Sequence, residues 1–295
     1  MLFKKNVISK LNNKMNATQK ELFKRTCFGQ FFEMREMRLR HQVIHKFLLM
    51  EVRQSTHVEM WFKVAGKHLM FSVEEFALAS GLACQGDDNT NVFKIGHSRI
   101  KHLLFKHKKN VYMKDVENTF NNLTAATSDE DVVRLGALYL ISSFPYTTTS
   151  ANVVPHEYFR NYKSLALAKT NPKLEDPKGI LSYRLHGFPL AFHIWIYESI
   201  PSLTGKVYTR VGHKSPRILN WSTDDSRVFA AYLDKILFEV DEFQPTNEEQ
   251  RAAYYQGLPQ RERITMPSTL AAEADLVNDP VHQPKDHNHA SSSNP

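Results

Sequence analysis

The chain contains few of the residues from which catalytic and metal centres are usually built. It has two cysteines, Cys27 and Cys84, which stand far apart in the sequence. A cysteine-based zinc module needs more thiols at closer spacing and is excluded, and two distant cysteines give no reason to expect a disulfide framework. The two thiols are expected to be buried and reduced, as in proteins of the cytosol or nucleus.

Glycine is also scarce, with 11 residues in 295, and no glycine-rich phosphate-binding motif occurs. The pairs Gly66-Lys67 and Gly205-Lys206 lack the upstream glycine of Gly-x-x-x-x-Gly-Lys. The motifs Gly-x-Gly-x-x-Gly and Gly-x-Ser-x-Gly are missing as well. The sequence therefore predicts no nucleotide or other small-molecule cofactor and no nucleophile elbow, and we expect a protein that is not an enzyme.

Long hydrophobic runs are missing too. Nowhere do apolar residues continue for the ~18 positions that a membrane-spanning helix needs. The first residues lead into no apolar segment of a secretory signal. Because 42% of the residues are nevertheless hydrophobic, the composition is typical of a globular protein, and we expect no contact with a membrane.

The net charge of +7 is unevenly distributed along the chain. Residues 222–295 contain 13 acidic and 6 basic side chains, a net charge of −7, which leaves +14 on residues 1–221. An asymmetry of this kind is typical of a basic body that meets a polyanion and is followed by an acidic tail.

The apolar pattern predicts several helices and one β-hairpin. Apolar residues at helical spacing indicate a helix that includes Val43 and continues to Val52. The segments 60–64 and 68–71, around Ala65-Gly66-Lys67, indicate a hairpin. Ser72 and Glu75 then form a capping box for a helix that ends at Gly81.

Further helix signals follow in the second half of the chain. Ser128 precedes three carboxylates that favour the start of a helix, and Pro189 and Pro201 mark the start and end of another. Residues 222–225 open a predicted helix that extends to Leu237, and a second capping box at 246–249 opens a short helix that ends near Gly257.

Isolated histidines and acids offer only incomplete sites. His41 and His45 are four residues apart on a predicted helix, yet the glutamate of His-Glu-x-x-His is missing, and two surface histidines are the simpler interpretation. Glu198 lies on the apolar stripe of its helix, where a carboxylate needs a partner. We expect a structural ion pair with an arginine there. Structural roles are also assigned to Trp61, Ser72, Glu75, Gly81, Trp195 and Trp221.

Two basic stretches are the strongest surface signals. No acidic residue occurs between Asp88 and Asp115, nor between Glu198 and Asp224. The predicted binding residues are Arg99, Lys101, Lys106, Lys108 and Lys109 in the first stretch and Lys206, Arg210, Lys214 and Arg217 in the second. Lysine and arginine clusters beside aromatic residues favour nucleic acid, and a solvated face is the alternative.

Several ordered motifs resemble a plant domain of unknown function. They are Arg25-Thr26-Cys27-Phe28-Gly29, Glu59-Met60-Trp61-Phe62-Lys63-Val64-Ala65-Gly66-Lys67, Phe71-Ser72-Val73-Glu74-Glu75-Phe76-Ala77, Arg134-Leu135-Gly136-Ala137-Leu138-Tyr139, Tyr183-Arg184-Leu185-His186-Gly187-Phe188-Pro189, Tyr197-Glu198-Ser199-Ile200-Pro201 and Pro216-Arg217-Ile218-Leu219-Asn220-Trp221. The resemblance covers roughly residues 22–240. A looser likeness is to the plant mobile domain of transposon-related proteins.

The resemblance implies a nuclear, transposon-linked role. Such domains precede a SUMO-protease-like cysteine peptidase domain in proteins derived from Mutator-type transposons. The peptidase half would supply a histidine, an aspartate and a Cys-Gly nucleophile motif after this region, whereas no cysteine follows Cys84. The resemblance thus implies the non-catalytic part of such a protein, or a truncated gene.

Together these observations predict a mainly α protein with a small β-hairpin, an α+β single globular domain. The expected organisation is a flexible arm over residues 1–20, a globular domain over 21–243, a short helix within 244–264 and a disordered tail over 265–295. We expect an interaction domain that binds protein or nucleic acid in the nucleus or cytoplasm. The alternative is the accessory half of a SUMO-protease-like peptidase.

Overall fold

The structure is a computed structural model, and it describes residues 6–35, 37–52, 59–84, 98–143, 188–224, 228, 230–236, 238–256 and 258. The described helices are α1 (Asn6–Lys14), α2 (Ala17–Lys24), α3 (His41–Leu48), α4 (Val73–Ser80), α5 (Arg99–Phe105), α6 (Met113–Asn121), α7 (Asp129–Ser143), α8 (Pro189–Ser199), α9 (Ala230–Leu233) and α10 (Asn247–Arg251). The strands are β1 (Glu51–Val52), β2 (Met60–Val64), β3 (Lys67–Phe71), β4 (Thr209–Arg210) and β5 (Trp221–Ser222). Short 3-10 turns cover Gly29–Phe32, Pro201–Leu203 and Arg217–Asn220.

These elements confirm the predicted class, mainly helical with little β-structure. The hairpin is present, with β2 and β3 antiparallel and Trp61 opposite Met70. The sheet has one strand more than predicted, because Val52 lies on β1 and pairs with Trp61. Helix α3 therefore ends at Leu48, and its predicted continuation to Val52 was wrong.

Helix α8 lies at the centre of the core. All of its residues are buried except Glu198, whose side chain is nevertheless only 5% exposed. The ring of Trp195 packs within 5.5 Å, centroid to centroid, of Phe62 on β2, Phe71 on β3 and Phe192 on α8 itself. Aromatic pairs at such distances add to the burial of their area. The hairpin is thus one wall of the core around α8.

The first twenty residues are not a flexible arm over the part that the structure describes. Helices α1 and α2 pack against α7, and Val7, Leu11 and Met15 are buried at spacings of four residues. Asn16 caps α2, since its side chain accepts from the backbone N–H of Gln19. The polar residues Ser9, Asn13 and Lys14 between these apolar positions are exposed. Their frequency explains why the sequence predicted a flexible arm.

The predicted capping box of α4 is confirmed. The Glu75 carboxylate accepts from the backbone N–H of Ser72 at 2.7 Å, and the Ser72 hydroxyl accepts from the N–H of Glu74 at 3.2 Å. Gly81 ends the helix with φ +74°, in the left-handed region. Both ends of α4 therefore have the groups that the sequence predicts.

The helices near the end of the described chain are shorter than predicted. Helix α9 is a single turn, Ala230–Leu233, and the N–H groups of Lys235 and Ile236 close tighter turns onto Tyr232 and Leu233. Helix α10 has its predicted capping box, but it ends at Arg251 because Ala252 takes ψ 141°. The predicted tail, 265–295, lies outside the described residues. Within the described residues, no helix is long and apolar enough to cross a membrane.

Substitution of Gly81 by alanine tests how tightly α4 meets the turn at Arg217–Asn220. A Cβ at Gly81 would lie 2.5 Å from Pro216 Cγ, and the backbone has positive φ. Left-handed backbone costs alanine about 1–2 kcal/mol, and a clash adds about 1–3 kcal/mol. We expect Gly81→Ala to lower the free energy of unfolding by about 2–5 kcal/mol in urea titrations.

Gly205 provides the matched control, because it has φ +73° and no atom lies within 4 Å of its added Cβ. Gly205→Ala is expected to cost about 1–2 kcal/mol from the backbone alone. Equal losses in the two variants would contradict the close contact with Pro216.

Candidate functional site

The side chains that could perform chemistry are scattered. Among the described residues, no three histidine, cysteine, aspartate or glutamate side chains come together as metal ligands. His41 and His45 both lie on α3, as predicted. Cys84 is buried, which raises the pKa of its thiol to about 12. Cys27 is half-buried. His156-Glu157, which begins like His-Glu-x-x-His but has Arg160 in place of the second histidine, lies outside the described residues.

The second basic stretch is folded into internal ion pairs. Arg217 donates from Nε and Nη2 to both carboxylate oxygens of Glu249, at 2.7 and 2.9 Å. Its Nη1 lies 3.4 Å from Glu198, and its guanidinium lies 4.3 Å from the centre of the Phe243 ring. Arg217 also donates to the carbonyl oxygen of Gln244. The side chains of Arg217, Glu198 and Glu249 are 11%, 5% and 3% exposed, so this is a buried cluster.

Glu198 has the arginine partner that its place on α8 predicts. Besides Arg217, Arg210 Nη1 lies 3.5 Å from its carboxylate, and the indole N–H of Trp221 donates to it at 2.8 Å. Burial raises the pKa of Glu198, while the two guanidinium groups and the indole N–H lower it. Such a carboxylate holds α8 to the strand pair β4–β5, which contains Arg210 and Trp221.

The other charges of this stretch are divided between pairing and solvent. Lys214 forms a bridge of 3.3 Å with Glu33. Arg210 lies over the Trp221 ring at 4.9 Å, and Lys206 is exposed. Three of the four predicted binding residues in this stretch, Arg210, Lys214 and Arg217, are therefore engaged with groups of the same chain.

The first basic stretch lies at the surface. Helix α5 buries Ile100 and Phe105, so that it is anchored as an amphipathic helix, and its opposite side carries His102 and Leu103. An exposed loop follows, from Lys106 to Asn110, before α6 begins at Met113. We call Lys101, Lys106, Lys108, Lys109 and Lys114 the lysine face. Lys94 and His97, from the same stretch, lie outside the described residues.

Only part of the lysine face is neutralised. Lys108 forms a bridge of 2.7 Å with Asp115. Lys106 and Lys109 are exposed and make no ion pair with any described residue. Arg99, which the sequence grouped with these lysines, instead binds the buried carboxylate of Asp131 at 2.8 Å and ties α5 to α7. Arg99 thus differs from Lys106 and Lys109 in having a buried acidic partner, although its own side chain is 61% exposed.

Tyr112 is a surface residue that the sequence reading did not select. Its side chain is 39% exposed, and it stands between Lys109 and Lys114 in the sequence. Its backbone N–H donates to Asp115 at 2.9 Å, on the same carboxylate that binds Lys108. The signal was an aromatic residue inside the acid-free stretch, but sequence alone did not show that its ring is outside the core.

A second unpredicted group is buried on α8. His193 is fully buried, and both of its ring nitrogens lack a hydrogen-bond partner among the described residues. Its ring lies 4.2 Å from that of Tyr197, whose hydroxyl also lacks a partner there. Burial lowers the pKa of His193 well below its usual value, and the nearby charges of His41 and Arg40 lower it further. His193 is therefore neutral in the folded protein.

This depressed pKa predicts a loss of stability in mild acid. Below the ordinary histidine pKa of about 6.5, the unfolded chain binds a proton that folded His193 does not, so acid favours unfolding. One such group lowers the free energy of unfolding by about 1.4 kcal/mol per pH unit as the pH falls from about 6.5 toward the folded pKa. His193→Phe should remove that part of the slope, measured by urea titration at pH 6.5 and 5.5.

The matched control is His102→Gln, because His102 is exposed on α5. Its variant should keep the slope of the parent protein. Identical slopes for the parent protein and His193→Phe would show that His193 does not set the acid sensitivity.

The buried cluster at Arg217 gives a prediction for stability. Arg217→Met leaves Glu198 and Glu249 without their shared cation, and broken buried pairs typically cost about 3–5 kcal/mol. We expect a loss of about 3 kcal/mol or more in the free energy of unfolding. The double variant Arg217→Met/Glu249→Met should be more stable than the single one, because it also removes one of the stranded carboxylates.

Lys214→Met is the control for this prediction, since its pair with Glu33 is exposed on both sides. Exposed pairs contribute about 0–1 kcal/mol. A loss below about 1 kcal/mol for Arg217→Met would contradict the role of the cluster.

Comparison with known proteins finds one family. Residues 48–168 match the family described as a domain of unknown function, DUF1985. The matched part contains the hairpin, α4 to α7 and the lysine face, whereas Arg217 and its partners lie beyond it. Searches among curated proteins and among solved structures gave no match.

Proposed function

We propose that this chain is an interaction domain that binds nucleic acid through the lysine face. The observation that carries the proposal is that the two basic stretches differ in how many of their charges are paired within the chain. Arg210, Lys214 and Arg217 are engaged within the chain, while Lys106 and Lys109 stay exposed without an acidic partner among the described residues. Exposed cations that the fold does not use are available to phosphate groups.

The chemistry of the face favours an extended polyanion. Its five lysines are spread over residues 101–114, and the two histidines His102 and His107 lie among them at the surface. Lysine contacts a phosphate as a point charge and does not read bases. Four or five such contacts give a slope of about −4 for log K against log salt on duplex DNA. We therefore propose that binding through this face depends on charge rather than on base sequence.

Charge reversal tests the proposal directly. The variant Lys106→Glu/Lys109→Glu changes two exposed side chains that form no described ion pair, so the fold is expected to be unaffected. Affinity for a labelled 20-nucleotide DNA should fall by about tenfold or more at low salt, and the salt slope should become less steep by about 2. Fluorescence anisotropy at several salt concentrations measures both quantities.

The control variant has the same net charge as Lys106→Glu/Lys109→Glu. Lys14 and Lys235 are exposed and lie outside both basic stretches, so Lys14→Glu/Lys235→Glu changes the total charge equally. If both variants lose the same affinity, the lysine face has no special role. If the parent protein binds no DNA at low salt, the proposed function is wrong.

A second candidate function follows from the motif resemblance. We propose as the alternative that the chain acts as the accessory part of a SUMO-protease-like cysteine peptidase of a plant transposon-derived protein, in the nucleus. Support comes from the resemblance of the ordered motifs up to Trp221 to such proteins. A peptidase reading frame that follows in the same transcript would support this role. A transcript without one would contradict it.

A further inference from the structure

The lysine face contains exposed apolar side chains as well as charges. Four large hydrophobic residues of the described chain are exposed, namely Leu49, Leu103, Tyr112 and Tyr232, and two of them, Leu103 and Tyr112, lie within residues 101–114. Tyr112 makes no ring contact with another described aromatic residue. Tyr112 is 39% exposed and stands between Lys109 and Lys114 in the sequence, and an exposed aromatic ring can stack on a base.

The geometry around Asp115 fixes Tyr112 beside the charges. The Asp115 carboxylate binds the ammonium group of Lys108 at 2.7 Å and the backbone N–H of Tyr112 at 2.9 Å. Lys114 stands two residues after Tyr112 in the sequence. The pKa of Asp115 is lowered by the hydrogen bonds from Lys108 and from the N–H of Tyr112, and by the charges of Lys108 and Lys114. The backbone of Tyr112 and the ammonium group of Lys108 thus meet at one carboxylate, at the start of α6.

From this arrangement we infer that the lysine face binds single-stranded nucleic acid, with an unpaired base stacked on the ring of Tyr112. The phosphates on either side of that base contact Lys108, Lys109 and Lys114. Stacking requires the face of a base, which an intact duplex hides inside its own stack. The inference rests on the proposed function, and it names the class of nucleic acid that the same surface takes.

The shape of the face argues against a duplex. Proteins that read duplex DNA usually place a helix in the major groove with its side chains along the base edges. Here Lys106 closes α5, and Lys108 and Lys109 lie in the loop that follows. Lys101 lies on α5 and Lys114 on α6, so the charges do not run along one helix. Helix α5 has only seven residues, and its outer side carries His102 and Leu103. A loop with an exposed ring suits a flexible strand better than a groove.

The experiment compares single-stranded and duplex DNA of the same length with the full chain. A labelled 20-nucleotide oligothymidine and a 20-base-pair duplex are titrated by fluorescence anisotropy. The parent protein should bind the single strand more tightly. Tyr112→Ala should weaken binding of the single strand by about tenfold, as expected for loss of one base–aromatic stack. Its salt slope should stay unchanged, because no phosphate contact is lost.

Two variants complete the test. Tyr112→Phe keeps the ring and should retain the affinity of the parent protein, which separates stacking from a role of the hydroxyl. Tyr232→Ala removes an equally exposed ring elsewhere and should have no effect. Near-ultraviolet and far-ultraviolet circular dichroism should show the same fold for all three.

The outcomes distinguish this inference from the proposed function. If Lys106→Glu/Lys109→Glu weakens binding but Tyr112→Ala does not, the lysine face binds nucleic acid and the stacking inference is wrong. Tighter binding of the duplex by the parent protein would also overturn the inference. If neither DNA binds at all, both the inference and the proposed function fail.

Discussion

The burial of α8 on every side is the constraint on which the rest of the structure depends. A helix that is hydrophobic all round needs neighbours all round. The hairpin supplies Phe62 and Phe71 against Trp195, and α4 packs along the same helix. Beyond the end of α8, the backbone N–H of Asp241 donates to the carbonyl oxygen of Ser199. Helix α3 and the 3-10 turns Pro201–Leu203 and Arg217–Asn220 contact α8 as well, so elements that are distant in the sequence meet at this one helix.

The same constraint explains the buried charges. Glu198 lies on a helix that has no solvent side, and a lone carboxylate there would cost several kcal/mol. Arg217 and Arg210 offset this cost, and Arg217 in turn needs Glu249, which stands on α10. Through these ion pairs, one acid on α8 is connected to the strand pair β4–β5 and to α10. Arg210 and Arg217 therefore have structural roles, and for this reason they are poor candidates for residues that bind a ligand.

Features that depend on neighbouring residues could be predicted from the sequence, whereas contacts between residues distant in the sequence could not. The caps at Ser72 and Thr246 and the hairpin turn depend on neighbours within a few residues, so their patterns were sufficient. The arginine partner of Glu198 could be predicted because a carboxylate on an apolar stripe needs a cation to offset the cost of its burial. The two basic stretches looked alike, since the partners that neutralise Lys214 and Arg217 stand 181 and 32 residues away. Helix α1 was missed because lysine and asparagine separate Val7, Leu11 and Met15.

The division of charge also determines where a ligand can approach without disturbing the fold. A phosphate that met Arg217 would compete with Glu249 and Glu198, and separating those buried groups is costly. A phosphate at Lys108 competes only with the exposed bridge to Asp115, which contributes little to stability. Lys106 and Lys109 require no exchange of described partners at all. A polyanion that met Lys106, Lys108 or Lys109 would therefore disturb few contacts of the fold, while the core around α8 would keep its own ion pairs.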